Sequence, residues 1–333
     1  MKSKQIVVIF FMIFNFVLSV YSVETNKFGL NTHNYPCGFE NNQILKNRLV
    51  DLGVTWIRVE IPWYVVEPRK GMNFNDFNYV PSDKIVRFAQ ENNINILFIL
   101  AYSPKFYGGH SYLMTRYISK WQIFVREMVE RYDGDGHKDM PGLTKPIKYW
   151  SLWNEPNLRQ FWNNGTLFSN ASSFVRNVLR SGIDALRDAD PLAKICGPDL
   201  SSSSFGNPEA WLQYFTNELG TCFDVLTHHQ YDARDKPYKR YRAALLFRNK
   251  AWKMGYRNGF QFWITETGYK RSKFSNNKIA EFMNLWCTYV QHSNTIHKSF
   301  WYSWRGDFDY GILAGISGVL PVYNVYKAFI HSH

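Results

Sequence analysis

Short runs of β-branched and aromatic residues alternate along the chain with stretches whose apolar positions recur every three or four residues, and turn residues mark the joins. Eight runs read as strands: 28–33, 54–61, 94–101, 147–154, 194–200, 223–229, 260–266 and 297–304. Between them, Leu45, Leu49 and Leu52 share one helical face, as do Ile118, Trp121, Val125, Met128 and Tyr132, and also Val175, Val178, Gly182 and Leu186. Ser82 is expected to cap a helix running to about Asn92, Gly53 to end the first helix in a left-handed conformation, and Pro321 to open the last.

Eight strands with intervening helices, no linker rich in Ser, Gly or Pro and no shift of composition predict an α/β fold, a single (β/α)₈ TIM barrel over residues 23–333. A doubly wound sheet is the competing architecture, but no Gly-rich phosphate turn follows the first strand.

The N-terminus departs from this rhythm. Lys2 and Lys4 precede an apolar run from Ile6 to Leu18, and the small residues Val20 and Ser22 follow, which is the pattern of a secretory signal peptide over residues 1–22. A secreted or secretory-lumen protein with no membrane span is expected. The sequons at Asn164 and Asn170 would suit glycosylation on that route. Cys37, Cys196, Cys222 and Cys287 permit three fully paired connectivities, and no Cys or Cys/His metal spacing accompanies them. The net charge of +12, or +10 without Lys2 and Lys4, comes from scattered Lys and Arg with no nucleic-acid motif, so no nucleic-acid partner is expected. Aromatic residues make up 18% of the chain, enough to fill a core and leave some surface for stacking against flat ligands such as sugar rings.

In a barrel of this kind the reactive groups come from the C-terminal ends of strands. Glu155 ends the fourth strand in Trp153-Asn154-Glu155-Pro156-Asn157, and Glu266 ends the seventh in Trp263-Ile264-Thr265-Glu266-Thr267-Gly268. Strands four and seven face each other across the mouth, so both carboxylates can enter one cleft. Paired carboxylates are what glycoside hydrolysis needs: one gives a proton to the leaving oxygen while the other, ionised, meets the anomeric carbon.

With these motifs the chain resembles the glycoside hydrolases of clan A, retaining enzymes on a (β/α)₈ barrel. The string from Trp153 through Leu158-Arg159-Gln160-Phe161 to Trp162 is most similar to family 39 and its single-domain polysaccharide-cleaving relatives. Val54-Thr55-Trp56-Ile57-Arg58 resembles the family's second strand, and Gly311-Ile312-Leu313 with Pro321, Tyr323 and Tyr326 its closing segment. The resemblance implies Glu155 as acid/base, Glu266 as nucleophile and Asn154 as the partner of the sugar 2-hydroxyl. It places Arg58 beside the nucleophile, His229 and Tyr231 in the strand-six motif with the Tyr hydroxyl on the nucleophile, and Trp304 under the reacting sugar, with Trp301 as the competing platform. Trp63 and Trp162 are either cleft rim or plain packing.

The implied protein is a monomeric, metal- and cofactor-independent hydrolase of an oligo- or polysaccharide. Family 39 xylosidases carry a further β-rich domain for which this chain has no room after the eighth unit, which leans toward an open cleft. Two other readings keep the same residues: a glycan-binding barrel without catalysis, and a transglycosylase in which a sugar hydroxyl replaces water.

Overall fold

The computed structural model describes residues 26–32, 41–163, 167–203, 206–231, 236–257, 259–305, 309–315 and 317–332. The signal-peptide segment, Cys37 and the sequon Asn164 lie outside them. Eight parallel strands close into a barrel in sequence order: β1 (Phe28–Asn31), β2 (Trp56–Pro62), β3 (Asn95–Ala101), β4 (Tyr149–Leu152), β5 (Lys194–Ser201), β6 (Val225–His229), β7 (Gln261–Thr267) and β8 (Lys298–Trp301). A two-stranded ribbon, β9 (Leu313–Ala314) and β10 (Gly318–Val319), lies outside the barrel.

The helices are α1 (Gln43–Leu52), the single turn α2 (Trp63–Val66), α3 (Val80–Glu91), α4 (Ile118–Glu130), α5 (Leu167–Phe174), α6 (Arg180–Ala189), α7 (Pro208–Leu219), α8 (Pro237–Lys253), α9 (Asn276–Gln291) and α10 (Pro321–His331). A π-helical turn, Val175–Leu179, joins α5 to α6. No helix among the described residues is long and apolar enough to cross a membrane.

The predicted (β/α)₈ barrel is the fold, and the helical faces read from the sequence are largely the buried ones. Leu45, Leu49 and Leu52 are buried on α1, which ends at Gly53 with φ +80°. Ser82 is a correction. Helix α3 starts two residues earlier, with Pro81 in its first turn, and the Ser82 hydroxyl donates to Tyr79 O at 3.0 Å instead of capping. Proline needs no amide partner there, so it opens the helix where a serine cap was expected.

Two apolar layers hold the barrel. The larger fills the space between strands and helices. The smaller, Trp56, Leu97, Cys196, Val225, Trp263 and Phe300, closes the N-terminal end of the barrel, with Tyr149 packed against it. The Lys298 ammonium lies 4.7 Å from the Trp56 ring centre and 5.7 Å from that of Trp263, which lets a cation sit among aromatic faces. With that end of the barrel interior filled by side chains among the described residues, the interior opens at the opposite mouth.

Gly29 lets β1 approach this layer: a Cβ there would stand 2.6 Å from the Phe300 ring and 3.1 Å from Trp56 Cβ. Gly29→Ala is therefore expected to destabilise the fold by about 1–3 kcal/mol, the usual cost of overpacking. Urea unfolding with an unchanged midpoint would show that the ring can swing aside.

Among the described residues no cysteines pair. Cys196, Cys222 and Cys287 are all free thiols. Each of the three complete connectivities needs one bridge among these three residues, so none is formed. The sequon Asn170 is only 4% exposed within α5, so the folded chain does not offer it for glycosylation.

Candidate active site

The C-terminal mouth holds a cavity of about 640 Å³ lined by residues from the ends of β2, β3, β4, β6, β7 and β8. Irregularities at the strand ends aim the side chains inward. Between β6 and β7 the register slips so that Glu266 stands opposite His229, and β5 slips against β6 between Gly197 and Leu200. Such slips re-aim side chains at barrel rims. After β4, Trp153 (φ +75°) and Glu155 (φ +42°) adopt left-handed backbone, and the chain bends over the mouth. That turn is fixed by Glu155 N donating to Asp199 O at 3.1 Å and by Asn157, which exchanges two hydrogen bonds with the Ser201 backbone.

Glu155 and Glu266 meet in this cavity. One oxygen of each, together with a ring nitrogen of His229, forms a trio whose members all lie within 4.8 Å of one another. Arg58 sits beneath them, 1% exposed. Its guanidinium donates to Glu266 Oε1 at 2.6 Å, to Asn31 Oδ1 at 2.9 Å and to Asn154 Oδ1 at 2.8 Å. Burial works against its charge, but Asp199 and Glu266 hold the proton on, so Arg58 is a permanent cation. Two carboxylates and a histidine could ligate a metal, but this cation already balances Glu266 and opposes a second one there.

Tyr231 donates its hydroxyl to Glu266 Oε2 at 2.8 Å. Burial, reinforced by the Glu266 charge, pushes its own ionisation well above the ordinary tyrosine range, so it remains a donor. His229 is fully buried, with Nδ1 2.9 Å from Glu155 Oε1 and 3.5 Å from Glu266 Oε2. The neighbouring His228 points the other way, stacked on Phe247 at 3.9 Å between ring centres, which settles which histidine faces the cleft.

Burial alone would discharge His229, but the surrounding carboxylates, Glu266 foremost, prevail and raise it from 6.5 to about 9. A raised folded-state value means that the charge stabilises the fold fully below 6.5 and that this contribution is lost as pH rises through about 9. Denaturation midpoints measured across that window should fall for the wild type and fall less for His229→Gln. Parallel curves would remove this titration from the stability profile.

A model of the glycosyl hydrolase catalytic core matches residues 126–314, more than half of the chain and a stretch that contains both glutamates. The chain belongs to this family. A search of curated proteins by sequence finds no match.

Among solved structures, a family 39 glycoside hydrolase from the gut symbiont Bacteroides cellulosilyticus WH2 superposes with a TM-score of 0.71 at 15% identity, over 92% of this chain and 64% of that one. A glucosidase from Croceicoccus marinus gives 0.69 at 16% identity, over 86% and 62%. Xylanase 10B from Thermotoga maritima gives 0.64 at 16% identity, over 92% and 95%. The chain thus spans less than two thirds of the first two, and at such identities the likeness is one of fold. The neighbours are clan A hydrolases of families 39, 5, 10 and 30.

The fold brings Arg58, Asn154, Glu155, His229, Tyr231 and Glu266 together as expected, but not Trp304. That ring is 0% exposed and packs 6.4 Å from Tyr323, away from the cavity. Strand β8 ends at Trp301, so the chain has already turned before residue 304 is reached. Trp301 is 1% exposed and faces Tyr269, so neither tryptophan is a platform. The aromatic rings on the cleft wall are instead Tyr64, Tyr102, Phe161, Tyr231, Tyr302 and Tyr310. Trp63 and Trp162 are fully buried packing residues.

Glu60, which lines the cavity and accepts from the Tyr102 hydroxyl at 3.0 Å, was not singled out from the sequence. Its signal was the two-residue alternation with Arg58, which puts both on the inner face of β2.

Proposed function

We propose that the hydrolase is a retaining β-glycosidase that cleaves an oligo- or polysaccharide by double displacement. The observation that carries this reading is the short gap between the carboxylates, with one oxygen of Glu155 and one of Glu266 within 4.8 Å. Retaining enzymes hold their carboxyl groups about 5–5.5 Å apart, whereas inverting ones leave about 6.5–9.5 Å for a water.

Glu266 is the nucleophile. Arg58 and Tyr231, one on each oxygen, hold it oriented toward the anomeric carbon. Glu155 is the acid/base: it protonates the departing oxygen, then takes the proton from the water that releases the sugar. His229 Nδ1 fixes the orientation of that carboxyl group, and Asn154, held by Arg58, presents its amide to the 2-hydroxyl of the reacting sugar. Tyr302 and Tyr310 offer ring edges and faces along the wall. The N-terminal pattern of Lys2, Lys4 and the apolar run after them supports action on the secretory route.

The test is product formation by the protein lacking residues 1–22, on β-linked polysaccharides and aryl β-glycosides, with Glu266→Gln as blank. Turnover that vanishes in the blank and first releases the β-anomer supports the reading. Release of the α-anomer overturns retention, and binding of glycans without cleavage overturns catalysis.

A further inference from the structure

Behind the two glutamates lies a third carboxylate to which the proposed chemistry gives no role. Asp199, near the end of β5, is 0% exposed and walled off from the cavity. A lone buried carboxylate would be costly, yet this one is fully partnered. Its Oδ2 accepts from Ser151 Oγ at 2.5 Å and lies 3.3 Å from an Arg58 terminal nitrogen. Its Oδ1 accepts from Thr265 Oγ1 at 2.6 Å and stands 3.5 Å from His229 Nε2. Its amide donates to Thr227 Oγ1 at 2.9 Å, and its φ of +52° is one that L-residues rarely adopt.

We propose that Asp199 is a positioning residue of this site, a carboxylate that never meets the sugar but holds Arg58 and His229 from behind so that each turns its other side to one of the two glutamates. The proposal rests on the roles given above to Glu155 and Glu266. Arg58 spans from Asp199 at 3.3 Å to Glu266 at 2.6 Å, and His229 from Asp199 at 3.5 Å to Glu155 at 2.9 Å. The two chains of contact start at one carboxylate and end on the nucleophile and the acid.

Charge supports the same assignment. The groups facing His229 are Arg58 from β2, Glu155 after β4, Asp199 from β5 and Glu266 from β7. On its own strand and the residues after it, His228 turns outward and Tyr231 bonds Glu266. Before reaction Glu155 must carry its proton, so Arg58 and a charged His229 are balanced by Glu266 and Asp199. Without Asp199 the two cations would share one contacting anion, Glu266, while Glu60 acts on Arg58 alone and leaves His229 less well balanced. His229 would then give up its proton more readily, and Glu155 would lose the charged partner that orients it for the first step.

The test is the near-isosteric Asp199→Asn, which removes the charge with little change of shape. Two readouts are followed against pH: kcat and KM on the best substrate found, and the ring nitrogens of His229 by NMR of ¹⁵N-histidine-labelled protein, assigned with His229→Gln. The proposal expects kcat to fall about 10²-fold, as for loss of orientation at a reacting centre, with KM little changed. It also expects His229 to lose its second proton at least about one pH unit earlier.

An unshifted His229 titration together with wild-type kcat would overturn it, leaving Asp199 as packing. The NMR arm stands even if no substrate is cleaved, so a failure of the glycosidase reading is told apart from a failure of this one. If Asp199→Asn does not fold, Ser151→Ala and Thr265→Val remove the hydroxyls that orient the carboxylate and are read in the same two ways.

Discussion

Glu266→Gln is expected to lower turnover by on the order of 10⁴-fold or more while the protein stays folded and still binds glycan. The size follows from what the substitution deletes. The amide is nearly isosteric, so Arg58 and Tyr231 keep their places, but it cannot attack the anomeric carbon. The pair of contacts at 2.6 and 2.8 Å is built for an anion. A stricter form of the test uses Glu266→Gly with added azide, an anion small enough to enter the vacated space. Attack there would displace the leaving group and give an α-glycosyl azide, one inversion from a β-linked substrate. Recovery of a β-azide instead would assign the nucleophile to another residue.

For Glu155→Gln the expected loss is at least about 10²-fold, the usual share of a general acid, and its size should depend on the leaving group. A sugar alkoxide needs the proton and suffers the full loss, whereas a nitrophenolate leaves unaided and suffers less in the first step. With activated aryl glycosides the second step then becomes limiting, because no base takes the proton from water. A burst of aryl product followed by slow turnover is the signature to look for. Azide should speed that slow phase in Glu155→Ala and give a β-glycosyl azide. Equal losses on good and poor leaving groups would exclude Glu155 as the acid.

The barrel was legible because its strands are apolar runs separated by amphipathic helices, and that rhythm survives errors at element ends. All eight strands were found, with ends displaced by at most three residues. The same errors decided what was missed at the site. A strand assigned through residue 304 put Trp304 at the rim, while the actual end at Trp301 sends it into the core. Glu155 and Glu266 escaped this problem because each sits in a motif longer than the uncertainty. Asp199 carried no such flag: its importance comes from Ser151, Thr265 and Arg58, brought to it by three other strands. Spacing along one strand cannot show a contact between β5 and β2 across the barrel. Nor did the count of cysteines show that Cys196, Cys222 and Cys287 are free thiols.

The backbone at Trp153 and Glu155 has an evolutionary consequence. Both residues hold left-handed conformations that glycine would adopt at no steric cost and that other L-residues take at about 1 kcal/mol or more. Replacing the acid by glycine would therefore relieve strain in the same step that ends its chemistry. Against that relief stands the 2.9 Å contact of the buried His229, which would be lost with the carboxylate, so backbone and side chain pull this position in opposite directions and selection for turnover weighs on the side of the acid.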